Sequence, residues 1–479
     1  MVLTETCGAG YACTVTAGTA RCALVGQCAD GDTRCAAVDT LETCTGSTFV
    51  RSHCDNGCSI GASGASCAAM STTGSVVVAG RLTFDERTPL PDRSDWGPVT
   101  QAPARGFAIS YFTGIIGTDL YSSAVTGADG SFTLQGPATP GDSDSIVVSS
   151  FAADHAGGVL FVANPGFDPG SMHGPYDPAP GATLYGWSFP MASFPADGHL
   201  DIAIDQFSAA ANVFDVLNAA RVRAMPAFPG ASAPRVVAWI GDGVAYRNVH
   251  AMYAPAPTTS LYGLSIASQL FVTATATESY WADSVLAHEM GHWVMQSFGR
   301  APGEGGVHYF GLPTFPGLAW SEGWATWFAA YVAGSPVYVD KQDSGMFSFD
   351  IAARTYSDSA RTWHRPDPAM PLSQPIDENE VAAMLWTISR NGASPQPLFD
   401  ALASPRMVTR PFARGYVRHT FSAHGDGTFT DVMATMESAP FFADFLDALD
   451  CGGLPQASID GATMPTSDYP YSASMPLCR

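Results

Sequence analysis

Ser284-Val285-Leu286-Ala287-His288-Glu289-Met290-Gly291-His292-Trp293-Val294-Met295 is the stretch whose reading decides the fold of the second half of this chain. On a helix, residues four apart lie on one face with their Cβ atoms about 5–6 Å apart. His288 and His292 at that spacing can bind one divalent ion without distorting the backbone. Glu289 lies about 100° round the same helix, so it reaches a water beside the ion and not the ion itself. The run 270–275 reads as a strand just before it. Glu278 and Asp283 suit a positive helix N-terminus, and Val285, Leu286 and Trp293 supply apolar packing. With 11 His and ten Glu in the chain, a chance His-Glu-x-x-His is expected on the order of 0.005 times.

Structural zinc sites close their shell with four protein ligands, whereas catalytic sites use three and leave a position for water. The third ligand is sought downstream of the paired histidines. A metzincin needs Gly at 295 and His at 298, where this chain has Met295 and Phe298, and the next Asp downstream is distant, at Asp340. The downstream stretch Leu318-Ala319-Trp320-Ser321-Glu322-Gly323-Trp324-Ala325-Thr326-Trp327-Phe328 reads as a second helix. A carboxylate among so many aromatics is costly to bury unless it is paired or bound to a metal. Gly323 beside Glu322 is expected to let the two helices approach closely.

His288-Glu289-x-x-His292 followed, thirty residues after the second His, by Glu322-Gly323-Trp324-Ala325 resembles the gluzincin peptidases, the broad group of thermolysin and the zinc aminopeptidases. The resemblance is specific over roughly 270–332. It implies that His288, His292 and Glu322 bind Zn²⁺ and that Glu289 is the general base which activates water. One departure stands out: Thr326 occupies the position, four after the Glu ligand, where thermolysin has an Asp that supports a zinc-bound His. A Thr hydroxyl or a backbone carbonyl can take that role. No Gly-x-Met-Glu-Asn phrase of the aminopeptidase kind precedes the motif, so an endopeptidase is expected. A donor for the tetrahedral oxyanion is also required. The Gly305-Gly306-Val307-His308-Tyr309 loop makes His308 the first candidate, with Tyr356 and His364 behind it.

The 479 residues carry a formal net charge of -22, which disfavours nucleic acid and anionic membrane surfaces as partners. A protein or peptide substrate and a monomeric state are expected. No run of about 18 apolar residues is present, so no membrane span is expected. Nine of the 11 cysteines fall between Cys7 and Cys67. Such density reads as a disulfide-stapled module made in an oxidising compartment, which places the protein outside the cell or on its surface. Met1-Val2-Leu3-Thr4-Glu5 is not a signal peptide. Glu5-Thr6-Cys7 recurs as Glu42-Thr43-Cys44, and the earlier copy has only three cysteines against six. That asymmetry suggests a truncated first repeat, with the export signal upstream.

The chain is therefore expected to be multidomain: a Cys-rich disulfide module (1–68), an all-β sandwich (75–206), an α+β zincin-like metallopeptidase domain (207–450) and a C-terminal tail (451–479) pinned by a Cys451–Cys478 disulfide. Residues 69–74 read as a linker. Sandwich strands are expected at 76–82, 107–112, 131–134, 146–149, 160–163, 186–189 and 200–204. The phrase Thr126-Gly127-Ala128-Asp129-Gly130-Ser131-Phe132-Thr133-Leu134 resembles the regulatory-like sandwich of carboxypeptidases. Helices are expected at 208–223, 281–297, 318–332 and 380–389, and strands at 236–240 and 270–275. Trp281, Trp293, Trp320, Trp324 and Trp327 read as core, and Glu378-Asn379-Glu380 as a helix N-terminus. The competing functional reading is an extracellular binding protein that keeps an inactive zincin scaffold. An intact Glu289 speaks against it.

Overall fold

The structure is a computed structural model. It describes residues 11–16, 19–24, 30–37, 40–45, 48–53, 58–61, 64–67, 75–113, 119–153, 159–167, 172–173, 181–191, 197–246, 251–255, 259–262, 264–266, 268–275, 279–304, 308–342, 345–365, 375–391, 394–408, 417–423, 429–436 and 440–463. The chain is mixed α/β and divides into two compact units, one of residues 1–86, 100–163 and 183–215, the other of 87–99, 164–182 and 216–479. Among the described residues no helix is long and apolar enough to cross a membrane.

In the first unit the cysteine-dense segment is regular. Strands Thr19–Leu24, Tyr11–Thr16, Thr33–Ala37, Thr40–Thr45 and Thr48–His53 form an antiparallel sheet in that order, and Cys58–Gly61 pairs with Gly64–Cys67. Cys44 is disulfide-bonded. The expected linker lies outside the described residues.

Two more sheets lie beyond it in the chain. One runs Asp119–Val125, Ala108–Thr113, Ser145–Ser149, Gly186–Pro190, and the other runs Ser131–Pro137, Ser75–Pro89, Ile202–Ile204, with Trp96–Pro103 also paired to Ser75–Pro89. Burial alternates with the two-residue period of a strand: Val78, Leu82 and Phe84 are buried while Val77, Ala79 and Arg81 are exposed. Six of the seven expected strands lie in these sheets. The seventh, Val159–Asn164, is buried at five successive positions and pairs antiparallel with Phe151–Ala153 outside both sheets. A continuous apolar run signals burial on both faces, not membership of a half-exposed sheet. Trp96–Pro103 and Asp119–Val125 were not expected. Trp96–Pro103 has an exposed stretch and a Pro at each of two positions, and Asp119–Val125 has only one buried residue, so neither shows clean alternation.

In the second unit, Val236–Trp239 and Ser268–Val272 pair in parallel, and Ala251–Ala254 runs antiparallel to Ser268–Val272 as the end strand of the sheet. The four longest helices among the described residues are α1 (Ser208–Ala224), α2 (Asp283–Phe298), α3 (Pro316–Ala333) and α4 (Glu378–Asn391). Each lies within two residues of the expected range. α3 starts with Pro316 in its first turn, where no amide partner is lost, and ends at Gly334 in the left-handed conformation (φ 66°). Its first turn is also closed from outside: the buried carboxylate of Glu304 accepts the Leu318 N–H at 3.0 Å.

α2, α3 and α4 pack closely at two glycines. A Cβ on Gly291 would stand 2.7 Å from the Ala325 Cα, and one on Gly323 would stand 2.6 Å from the Val381 Cβ. This corrects the sequence reading of Gly323, because Gly291 admits α3 to α2 and Gly323 admits α4 to α3. Trp293, Trp320, Trp324 and Trp327 are fully buried as expected, and Trp281 is nearly so. The hairpin Val337–Gln342 with Gly345–Asp350 comes after α3. Helices Gln396–Leu402 (α5), Pro405–Val408 (α6), Phe442–Cys451 (α7) and Gln456–Asp460 (α8) lie towards the C-terminus. Trp320 and Trp324 pack on Phe445 of α7, and Trp324 and Trp327 on Phe399 of α5. Cys451 is disulfide-bonded. Cys478 lies outside the described residues.

Candidate metal centre

α2 presents His288 and His292 one turn apart on the face turned towards α3, as the four-residue spacing requires. Glu322 meets them from α3. The His288 Nε2 and His292 Nε2 are 3.1 Å apart, and the Glu322 Oε2 lies 3.0 Å from the first and 3.2 Å from the second. Tetrahedral zinc with bonds of about 2.0–2.1 Å sets its ligand atoms about 3.3 Å apart. The triangle therefore has the edge lengths and the N, N, O donor chemistry that a zinc ion takes.

Each imidazole is held at its other nitrogen by a hydroxyl from α3. The His288 Nδ1 is 3.1 Å from the Thr326 Oγ1, and the His292 Nδ1 is 3.2 Å from the Ser321 Oγ. Thr326 sits four residues after Glu322, hence on the same helical face. It stands where thermolysin has a carboxylate. Ser321 precedes Glu322 directly.

Glu289 stands apart from the triangle. Its Oε2 accepts the backbone N–H of Tyr253 at 2.6 Å, from the end strand Ala251–Ala254. The Tyr253 ring lies nearly parallel to that of His292, at 6.4 Å between centroids. Burial pushes the Glu289 carboxyl up. The neighbouring imidazoles oppose that shift and Glu322 reinforces it. A carboxyl raised in this way is a stronger base than an exposed one. Burial also raises the cost of charge on Glu322, yet His292, His308 and the His288 contact outweigh it and hold its carboxyl well below the usual range. On His292 burial disfavours the charged ring, but the Glu322 charge prevails and the pKa is raised.

His308 approaches from the segment between α2 and α3. Its Nε2 is 3.7 Å from the Glu322 Oε2, and its Nδ1 is 2.7 Å from the Oε2 of Glu378, the first residue of α4. That short contact is an ion pair between the ring and the buried carboxylate. Burial disfavours its charge, but Glu378 and then Glu322 overcome it and push the imidazole up to about 10. Residues 305–307 lie outside the described residues. The ring of Tyr338, from the hairpin after α3, lies T-shaped to that of His288 at 6.1 Å between centroids, and burial followed by the Asp340 charge holds its phenol well above the usual value.

Of the two remaining donor candidates, Tyr356 has its hydroxyl engaged and His364 is tied through its backbone. The Tyr356 hydroxyl accepts from Asn379 Nδ2 at 2.8 Å and donates to Asp377 at 3.4 Å, and the His364 backbone N–H points at Asp377.

Residues 247–395 match the family model of the mycolysin C-terminal domain. The match spans α2, α3 and α4, and so takes in His288, Glu289, His292 and Glu322. It points to a zinc metallopeptidase of the thermolysin and mycolysin kind. No curated protein matches the chain.

Sequence reasoning brought His288, His292, Glu322 and Glu289 into one neighbourhood and left a Thr hydroxyl or a backbone carbonyl as alternatives for the support of the ligand imidazole. It missed Tyr253, Ser321, Tyr338 and Glu378. Ser321 was open to detection, as a hydroxyl adjacent to the carboxylate on one helix. Tyr253 and Glu378 reach the site through tertiary packing and left no local signal.

Proposed function

We propose that this chain is a secreted zinc-dependent endopeptidase in which His288, His292 and Glu322 hold the ion and Glu289 is the general base. The observation that carries this reading is the triangle of two Nε2 atoms and one carboxylate oxygen from two helices, with sides of 3.0–3.2 Å. A zinc ion bound there supplies a Lewis acid for the scissile carbonyl and makes a nearby water acidic.

The chain's own residues supply the rest. The Tyr253 N–H fixes one oxygen of Glu289 and leaves the other to face the water. Glu289 takes the water's proton as the oxygen attacks the carbonyl carbon. It then delivers that proton to the nitrogen as the C–N bond breaks. Thr326 and Ser321 hold the two imidazoles in the orientation that turns both Nε2 atoms inward. The substrate is a protein or peptide. Residues 1–68 and 75–206 serve as an accessory disulfide module and a regulatory-like sandwich, 207–450 as the zincin-like catalytic domain, and 451–479 as its pinned tail. The cysteine-dense start supports an oxidising, extracellular setting.

The deciding experiment is Glu289→Gln assayed beside the wild type on a casein substrate. The expected result is retained zinc and a loss of cleavage of at least about 10³-fold. Undiminished cleavage by the variant overturns the assignment, and so does a wild-type chain that binds no zinc.

A further inference from the structure

Two sheets of the first unit end in strands with no partner on the outer side among the described residues. One is Gly186–Pro190, which pairs with Ser145–Ser149, and the other is Ile202–Ile204, which pairs with Ser75–Pro89. The Trp187 indole N–H donates to the Gln206 carbonyl at 2.8 Å, so a side chain ties these edges where strand pairing does not. Between them lies a cavity of about 500 Å³. Trp187, Met191, Ile202 and Ile204 are buried and give it an apolar floor.

The pairing of the first edge decides which groups it offers. Met191 donates its backbone N–H to the Asp144 carbonyl, and Ser150 donates its own to the Tyr185 carbonyl. Both pairs continue the register that sets Ile146 opposite Phe189 and Val148 opposite Trp187. In an antiparallel ladder hydrogen-bonded pairs alternate with unbonded ones. Trp187 and Phe189 therefore direct their amides at Ser145–Ser149, whereas Gly186 and Ser188 turn N–H and C=O outward. A bare edge accepts an added strand, a hazard that proteins blunt with proline, charge or brevity. Pro190 blunts one end here and leaves Ser188 open.

The charge round the cavity has one sign. Asp201 and Asp205 are the ionisable residues of its lining, and no Lys or Arg is among them. Asp201 is engaged: its Oδ1 accepts the Arg81 N–H at 2.9 Å and faces the His199 Nε2 at 3.1 Å. Asp205 is exposed, with no hydrogen bond or ion pair among the described residues. A segment that pairs here meets an uncompensated carboxylate, which favours Lys or Arg. A second copy of this chain suits the site poorly, because 44 acidic residues stand against 22 basic ones.

We propose that the seam between these two strands docks an extended, Lys- or Arg-bearing segment of a polypeptide substrate. The segment adds as a strand to Gly186–Pro190, with Ser188 at the centre of the pairing. Its basic side chain lies against Asp205, and its inward side chains rest on the apolar floor. The choice of a substrate as the source rests on the peptidase reading.

The probe is a short fluorescein-labelled peptide of alternating Val and Lys, titrated against the full-length E289Q protein so that it stays intact. The same peptide with alternate amide nitrogens methylated should bind at least about 10-fold more weakly, because strand pairing is lost. A peptide of alternating Val and Glu should also bind more weakly. Adding D205N should weaken binding of the Val-Lys peptide about 2- to 5-fold. In the otherwise wild-type chain, D205N should raise KM for a Lys-rich protein substrate by the same factor. Its kcat, and cleavage of a short peptide without Lys or Arg, should not change. Equal binding of the methylated peptide overturns the proposal, and so does equal binding by D205N or no binding at all. A dimer that the peptide dissociates makes a second copy the occupant and overturns it too. If the peptide binds as expected while the wild-type chain cleaves nothing, the peptidase reading fails and the docking seam stands.

Discussion

The hydroxyl of Thr326 lies 3.1 Å from the Nδ1 of His288, so the imidazole whose Nε2 enters the triangle is anchored from the helix that supplies the carboxylate. With Nε2 used as a ligand, Nδ1 carries the proton and the Thr326 oxygen accepts it. A neutral hydroxyl is a weaker acceptor than a carboxylate, yet it still fixes tautomer and ring orientation. Thr326→Val keeps the shape and removes the acceptor. Zinc affinity, measured by competition with a chromophoric chelator, should fall roughly 10- to 100-fold while the fold survives. An unchanged affinity would mean the hydroxyl is a spectator.

Much of this centre was legible because its essentials are local. The His288–His292 spacing on one helix, and Glu322 with Thr326 at the same spacing on the next, are patterns that a linear chain displays directly. The features that escaped depend on which elements meet. Gly323 was read correctly as a point of close approach and assigned the wrong neighbour, since a glycine states that something comes near and not what. Tyr253 contributes a backbone N–H, which every residue but proline has, so its side chain carries no hint of the role. Glu378 looked like an ordinary first-turn carboxylate, and α4 does begin there. Its contact with His308 arises from a docking that only the fold reveals. The strand Val337–Gln342 does alternate partly in pattern, but its consequence, the Tyr338 ring beside His288, again required the tertiary structure.

The close helix contacts predict a steric penalty. A methyl group at Gly323 would stand 2.6 Å from the Val381 Cβ and 2.7 Å from the Glu378 carbonyl oxygen, and one at Gly291 would stand 2.7 Å from the Ala325 Cα. In each case rigid backbone or a Cβ blocks the way, so the helices must part. Gly323→Ala and Gly291→Ala should each cost about 1–3 kcal/mol, read as a lowered denaturation midpoint. The effect on function should differ in kind. Gly291→Ala separates the two helices that hold the triangle and should weaken zinc binding, whereas Gly323→Ala displaces Glu378 and should spare it. Equal zinc affinities in the two variants would contradict the division of labour between these glycines.

Asp377 gives the protein a pH-dependent stability. Burial, followed by the charge of Glu378, raises its carboxyl from 3.8 to about 7, against the opposing hydrogen bonds from the Asn379 and His364 amides and Tyr356. A folded-state pKa above the unfolded one means the native state binds the proton more tightly. The resulting stabilisation is complete below about 4 and is lost as pH rises through about 7. Full loss is worth at most about 4 kcal/mol. Asp377→Asn mimics the protonated acid at every pH, so the fall in unfolding free energy between pH 5 and pH 8 should be smaller in the variant. Urea titrations of both proteins with the metal removed by a chelator measure this. Parallel pH dependence in the two would show that Asp377 ionises freely.

Glu304 closes the first turn of α3, the helix that carries Glu322. Its carboxylate accepts the Leu318 N–H at 3.0 Å and lies over Gly317, where a Cβ would stand 2.4 Å from its Oε2. Leu318 is one turn before Glu322, so the bond restrains the turn on which the ligand carboxylate depends. Removing such a cap costs about 1 kcal/mol, with the charge on the helix dipole adding a few tenths. Glu304→Ala should therefore lower the midpoint of unfolding, and Glu304→Gln, which keeps an acceptor, should recover most of the loss. Because a metal that binds only the folded form stabilises it by mass action, excess zinc should raise the midpoint of Glu304→Ala as it does that of the wild type. The remaining gap between the two at saturating zinc then measures whether the cap matters to the site or only to the helix. A gap that persists unchanged assigns Glu304 to the helix alone, while a gap that widens shows that fraying at Leu318 is transmitted to Glu322.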